Sequence, residues 1–357
     1  MIKVCELYLK GNELKYATDC LNSGWISSGG SYIGRFEKAF AEYCGCAHGI
    51  TTTSGTTALH LALVATGIGK GDEVIVPTFT MAASAFAVCY TGATPIFVDC
   101  EPLTFNIDTT LIESKITKNT KAIMPVHIYG HPCAMKTVMD IAEAYHLIVI
   151  EDAAEAHGAM YDDLMIGSIG HIGCFSFYAN KICTTGEGGM VVTNDANIAA
   201  RARSLKDLSH SETRFLHTDV GFNYRMTNLT AAIGVAQVEK IDEYIALRRK
   251  HAALYSRLLK GVGLELPVEM PWVKNVYWMY AVLVKENRKQ FMDYLYSKGV
   301  ETRTFFIPMH RQPMFKDGGD YPIADDISQR GLYLPSGSGL TDDEIVYICD
   351  TIKEYFS

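Results

Sequence analysis

Three stretches of the sequence hold residue types whose chemistry goes beyond packing. In CFSFYANKICTTGEGG, Lys181 follows an apolar run and enters a short turn among hydroxyls and glycines. A primary amine in a partly desolvated, cationic setting has a lowered pKa and can attack a carbonyl carbon such as an aldehyde. A lysine taken at random would be a solvated loop residue. With Ser176 shortly before it and TTGEGG just after, that is the poorer account here. In LIVIEDAAEAHG, Asp152 ends an apolar run, which puts it at the carboxyl end of a strand, the edge where open α/β sheets bind ligands. A carboxylate there can pair with a protonated pyridine nitrogen and keep the ring electron-poor. A helix cap or a buried salt bridge would use the same residue equally well. In TTTSGTTALHLAL, Ser54-Gly55-Thr56 opens a helix. Free N–H groups, the helix dipole and two hydroxyls suit a phosphate, although Ser and Thr also serve as plain N-caps.

These residues need a sheet to align them. Short continuous apolar runs read as buried parallel strands: 73–77, 94–99, 121–128, 147–152, 174–178 and 189–194. Helical patterns lie around or between them at 35–43, 56–66, 82–90, 109–115 and 135–146. The alternation predicts an α/β fold with a mostly parallel sheet covered on both faces. After about residue 226 the character changes. One long helix is expected over 228–260, then strands at 276–284 and 300–304, with helices at 288–298 and 342–355. The division predicted is a large α/β domain over 1–240, with a mobile N-terminal loop SGWISSGGSYIG, and a smaller α+β domain over 241–357.

Composition narrows the function classes. The 357 residues carry a net charge of −8, without the basic excess of a general nucleic-acid binder. The ten cysteines are scattered without zinc or redox spacing, which predicts no metal site and a reduced, cytoplasmic protein. The N-terminus lacks the apolar stretch of a signal peptide, and no run approaches a membrane span. No G-x-G-x-x-G turn follows the first strand, which argues against a nucleotide-dependent dehydrogenase.

FSFYANK followed by TTGEGGM resembles the DegT/DnrJ/EryC1/StrS family of sugar aminotransferases. The likeness extends along nearly the whole chain through SGWISSGGSYIGRFE, SGTTALHLAL, GDEVIVPTFT, VHIYG, EDAAEAHG and GFNYRMTNLTAAIG. It implies the type I pyridoxal-phosphate fold of aspartate aminotransferase. Within the family the sequence looks closest to the GDP-perosamine synthases, which aminate C4 of GDP-4-keto-6-deoxymannose. Enzymes making viosamine from the UDP- or dTDP-linked glucose-configured sugar are similar enough to remain in play.

The resemblance implies roles residue by residue. Lys181 matches the Schiff-base lysine and Asp152 the acid facing the pyridine nitrogen. Ser54, Gly55, Thr56 and Ser176 match phosphate-binding positions, and Glu155 the Gln or Glu near the ring hydroxyl. Asn223 matches an asparagine that reaches the phosphate from the neighbouring subunit, which implies a homodimer with shared active sites. Arg225 beside it could meet anionic substrate groups, or form a surface or interface ion pair. Trp25, Ser27 and Ser28 lie in the N-terminal loop as candidate contacts to the sugar nucleotide, where the tryptophan could stack on a sugar or base or simply pack in the core. His310 matches a loop histidine that approaches the substrate in relatives, and a solvated loop histidine accounts for it equally well. Met81 stands where relatives often carry a ring-stacking aromatic; its thioether can still cover a ring face. The implied reaction is ping-pong. L-glutamate leaves as 2-oxoglutarate, the cofactor passes through pyridoxamine 5'-phosphate, and the keto sugar then accepts the amine. O-antigen lipopolysaccharide synthesis is the implied setting. A dehydratase of the family would carry histidine in place of Lys181, and a protein that only binds the cofactor or sugar nucleotide would not need Lys181, Asp152 and the phosphate loop together.

Overall fold

The computed structural model describes residues 1–285, 287–315 and 318–357. Its main layer is a seven-stranded sheet: β1 (His48–Thr52), β2 (Glu73–Pro77), β3 (Thr94–Val98), β4 (Thr120–Ile123), β5 (Ile148–Asp152), β6 (Ile172–Ser176) and β7 (Gly189–Thr193). The spatial order is β1-β7-β6-β5-β4-β2-β3, parallel from β3 to β6, with β7 antiparallel to both neighbours. The apolar runs are continuous because helices cover both faces; every residue of β6 and β7 is buried. The α/β class expected from the alternating pattern is what the chain adopts.

Register brings the functional stretches to one edge. Asp152, the last residue of β5, pairs with Cys174 of β6. Ser176, the last residue of β6, pairs with Gly189 of β7, and Gly189 pairs with Thr52 of β1. The carboxyl ends of β5, β6 and β1 therefore lie side by side, followed at once by Ala153–Glu155, Phe177–Lys181 and Ser54-Gly55-Thr56.

Beyond the sheet, a second core gathers Tyr255, Tyr280, Val282, Phe291, Leu332 and Ile348. Its four-stranded antiparallel sheet has the order Leu264–Glu265, Tyr280–Val284, Gly331–Leu334, Arg303–Thr304. Helices Ile241–Leu258, Arg288–Ser297 and Asp342–Phe356 supply much of the rest of this core. The chain's first residues join this unit: Ile2 exchanges backbone bonds with Gly299 and Glu301, and Ser336 N–H donates to Val4 O.

Several expected elements come out differently. The strand over 121–128 stops at Ile123, because Pro125 has no N–H to donate. Pairing resumes only as a bridge between Val126 and Asp152. Residues 109–115 form two 3₁₀ turns, Thr109–Leu111 and Glu113–Lys115, where β-branched Thr109, Thr110 and Ile112 discourage a longer helix. The helix over 228–260 is two helices, Asn228–Val238 and Ile241–Leu258. The break falls where the Glu239 carboxylate is held by Asn12 and Tyr16. The strands at 276–284 and 300–304 shrink to Tyr280–Val284 and Arg303–Thr304. Helices Glu13–Ser23, Ala196–Lys206 and Pro322–Arg330 were not anticipated. Among the described residues, no helix is long and apolar enough to cross a membrane.

Candidate active site

A cavity of about 340 Å³ opens at the carboxyl edge of the sheet. Ser54, Gly55, Thr56, Met81, Asp152, Glu155, Ser176 and Lys181 all line it. Three features at its wall have different chemistry.

The first is the N-terminus of helix Gly55–Ala65. Ser54 caps it in a reciprocal box with Thr57: Ser54 Oγ accepts from Thr57 N–H (3.2 Å), and Thr57 Oγ1 accepts from Ser54 N–H (2.9 Å). The N-cap role weighed from the sequence is thus real, and the hydroxyl still borders the cavity. Gly55 is required by close approach, since a Cβ there would stand 2.7 Å from Ser176 Cβ. Hydroxyls at Thr56 and Ser176 complete an anion-accepting rim.

The second is Asp152. Its Oδ2 accepts from Ser84 Oγ (2.7 Å) and its Oδ1 from Ala154 N–H (3.2 Å). Burial pushes its pKa upward, against the pull of the Ser84 and Ala154 hydrogen bonds and the Lys181 charge. A buried carboxylate held by neutral donors is suited to a cationic partner arriving in the cavity.

The third is Lys181, whose side chain is only 10% exposed. Its Nζ lies 3.6 Å from Glu155 Oε1 and 3.7 Å from the centroid of the Trp278 ring. Burial lowers the pKa of the amine, opposed by Glu155 and Asp152. Burial also raises Glu155 to about 7, opposed by Lys181 and by Tyr129 N–H, which donates to Oε2 (2.8 Å). The two shifts run toward each other, the amine's downward and the carboxyl's upward, which suits groups that must give and take a proton.

This set fits pyridoxal 5'-phosphate: a hydroxyl-rich helix start for the phosphate, a buried acid for the ring nitrogen, and a desolvated amine for the aldehyde. The fit also yields a stability test. Glu155 has a folded-state pKa above its ordinary range, so its contribution to stability is full at low pH. That contribution declines as pH rises through about 7. Glu155→Gln should therefore melt higher than the parent at about pH 8, with the gap closing at about pH 5. Melting of both cofactor-free proteins at the two pH values measures this. A gap that does not grow with pH contradicts the assignment.

Met81 lines the cavity half exposed, and its Sδ accepts from Ala83 N–H (3.1 Å) at the start of helix Ala82–Tyr90. The other expected residues are not brought there by a single chain. Asn223 is exposed and accepts from Arg225 Nε; Arg225 pairs with Asp207 at 2.9 Å, its surface ion-pair alternative. Trp25, Ser27 and Ser28 lie exposed on the loop after Gly24, with Trp25 beside a separate hollow near Asn228. His310 is turned away from the cavity. Its Nδ1 meets Thr78 Oγ1 at 2.7 Å and its Nε2 meets Asp325 Oδ1 at 3.1 Å. Its backbone N–H also donates to Thr78 Oγ1. With both ring nitrogens engaged, the side chain anchors loop 305–315.

The sequence reading missed part of the wall: Thr80, Trp278, Phe306 and Tyr333, and Ser84 behind Asp152. Ser84 had a local signal, an i+3 position after Met81 at a helix start. Trp278 had none, being brought in from 98 positions beyond Asn180.

Comparison with known proteins agrees with this geometry. The profile of the DegT/DnrJ/EryC1/StrS aminotransferase family matches residues 8–353. GDP-perosamine synthase of Escherichia coli O157:H7 is 45% identical over 360 residues, covering 100% of this chain and 99% of that protein. GDP-perosamine synthase of Caulobacter vibrioides is 48% identical over 355 residues, covering 96% and 95%. Among solved structures, S. venezuelae DesV in complex with a ketimine intermediate superposes with a TM-score of 0.93 at 35% identity, covering 97% of this chain and 94% of that one. The aminotransferase TlmJ of Streptoalloteichus hindustanus gives 0.95 at 29%, covering 99% and 98%. With its cavity built around Lys181 and its likeness running from end to end, the chain belongs to the DegT/DnrJ/EryC1/StrS aminotransferase family, enzymes that work with pyridoxal 5'-phosphate.

Proposed function

We propose that the chain moves an amino group from L-glutamate to C4 of GDP-4-keto-6-deoxymannose, yielding GDP-perosamine and 2-oxoglutarate. The observation that carries this reading is the similarity, at 42–48% identity and along almost the whole chain, to three GDP-perosamine synthases. The grouping of Lys181, Asp152, Ser54, Gly55, Thr56 and Ser176 around one cavity supports the reading. The reading sets the reaction in the cytoplasm, on a route to O-antigen.

Pyridoxal 5'-phosphate, when bound, supplies a carbonyl carbon for the amino group and an electron-poor ring for the charge left by a departing proton. The protein does the rest. Ser54, Gly55, Thr56 and Ser176 hold the phosphate, and Asp152 holds the ring nitrogen protonated. Lys181 carries the proton from the donor's α-carbon and later delivers one to the sugar's C4. Glu155, fixed by Tyr129 N–H, sets the charge beside Lys181. Phe306 and Tyr333 keep water from the reacting atoms.

In this reading the protein is a homodimer with shared sites. One copy's segment from Asp207 to Arg225 brings Asn223 and Arg225 to the other's phosphate and sugar nucleotide. Trp25, Ser27 and Ser28 add contacts to the sugar nucleotide. The same segment exposes Phe215, Leu216 and Val220, which favours coverage by a second copy. A fully active monomer in sedimentation would refute shared sites.

The deciding experiment offers glutamate with GDP-, UDP- and dTDP-linked 4-keto-6-deoxy sugars and identifies the amino sugar by mass spectrometry. The mannose-configured GDP sugar should be preferred by kcat/KM at least about tenfold. Preference for a glucose-configured UDP or dTDP sugar would overturn the substrate and leave the aminotransferase class intact.

A further inference from the structure

We infer that Trp278 is a positioning residue for Lys181: its indole edge tethers the peptide before the lysine, and its indole face cradles the amine whenever that amine is free. This rests on Lys181 being the reacting amine.

Trp278 is 3% exposed and belongs to the main core. Its Nε1–H donates to Asn180 O at 2.9 Å, and the same carbonyl accepts from Cys5 Sγ at 3.5 Å. The backbone before Lys181 is thus gripped by groups distant in sequence. Trp278 is itself held, since Arg248 Nη1 donates to its carbonyl at 2.7 Å and Arg248 Nε to Ser338 Oγ at 3.1 Å. Tyr129 stacks against it at 6.3 Å and 24°. The indole cannot turn aside without breaking these contacts.

Its face meets the amine. Lys181 Nζ stands 3.7 Å from the ring centroid, closer than cation–π contact demands, while its ion-pair contact with Glu155 Oε1 is a loose 3.6 Å. A π face attracts the ammonium without consuming a particular N–H bond. The arrangement therefore retains the displaced amine at the cavity wall while leaving its protons free to be passed on. Asp152 and Glu155 also favour the ammonium, whereas Arg248 and burial disfavour it. His157 is held neutral by burial, and Tyr178, Glu187 and Tyr333 complete the titratable groups of the wall.

The test measures the titration of Lys181 directly. Full-length protein, both cofactor-free and loaded with pyridoxamine phosphate, is trace-labelled with acetic anhydride across pH. Acetylation of the Lys181 peptide is then read by mass spectrometry in the parent, Trp278→Phe and Trp278→Leu. Loss of the π face should lower the midpoint by about one pH unit in Trp278→Leu and by about half as much in Trp278→Phe. An unchanged midpoint in a folded variant overturns the inference. So does an upward shift, the result expected if the indole only keeps water out. Should Trp278→Leu lose its cooperative melting transition, Trp278→Phe decides by the same criteria. Borohydride fixation of the cofactor to Lys181 in the parent is a separate control. Its failure would remove the proposed function itself, whatever the Trp278 variants show.

Discussion

Lys181→Ala is expected to lower turnover by at least about four orders of magnitude while the protein stays folded and still binds pyridoxamine phosphate. The effect is large because one group has two tasks. In the proposed function its amine is the covalent anchor for the cofactor aldehyde and, once displaced, the acid and base that moves protons between the reacting carbons. Its ion-pair neighbour Glu155 is tied to Tyr129 N–H and points its remaining oxygen at the lysine. Alanine leaves no amine to replace Lys181. The phosphate rim at Ser54, Gly55, Thr56 and Ser176 is untouched, so affinity for the aminated cofactor should persist. Single-turnover absorbance with each half-reaction measures the loss. Near-normal turnover would show that the reacting amine lies elsewhere.

Asp152→Asn should cost about 10²–10³-fold in kcat, with cofactor still bound and still fixed to Lys181 by borohydride. The carboxylate is held by Ser84 Oγ and Ala154 N–H at the end of β5, so an amide fits the same space. The charge is what changes. An asparagine can donate to an unprotonated ring nitrogen but cannot stabilise a protonated one, and the ring then absorbs less of the charge left by a departing proton. The loss should fall on kcat, with little change in KM, because the charge develops only as the proton leaves. A variant with unaltered kcat would exclude a role for Asp152 at the ring nitrogen.

The parts of this site legible in the sequence share one property: each functional residue lies at or shortly after the end of a strand. Asp152 ends β5, Lys181 follows the turn after β6, and Ser54 caps an apolar helix just past β1. Local pattern reveals a strand end, and strand ends in such sheets are where ligands sit. The failures were of another kind. Pro125 cuts the strand expected over 121–128, and the turn that follows presents Tyr129 N–H to Glu155. His310 looked like a residue that approaches substrate. It is taken up by Thr78 and Asp325, partners 232 and 15 positions away.

Residue types and hydrophobic period alone determined the α/β class and the strand edge, and marked an amine, an acid and a helix start as candidates whose roles the family resemblance then implied, because these depend on short stretches whose pattern survives in any context. Tertiary structure alone decided that Asp152, Ser176 and Ser54 stand side by side, through the register of β5, β6, β7 and β1. It also decided that Trp278 lies against Lys181 and that a buried glutamate holds its proton up to about pH 7. Proximity between distant segments and the removal of water are properties of the packed chain, and no local pattern encodes them.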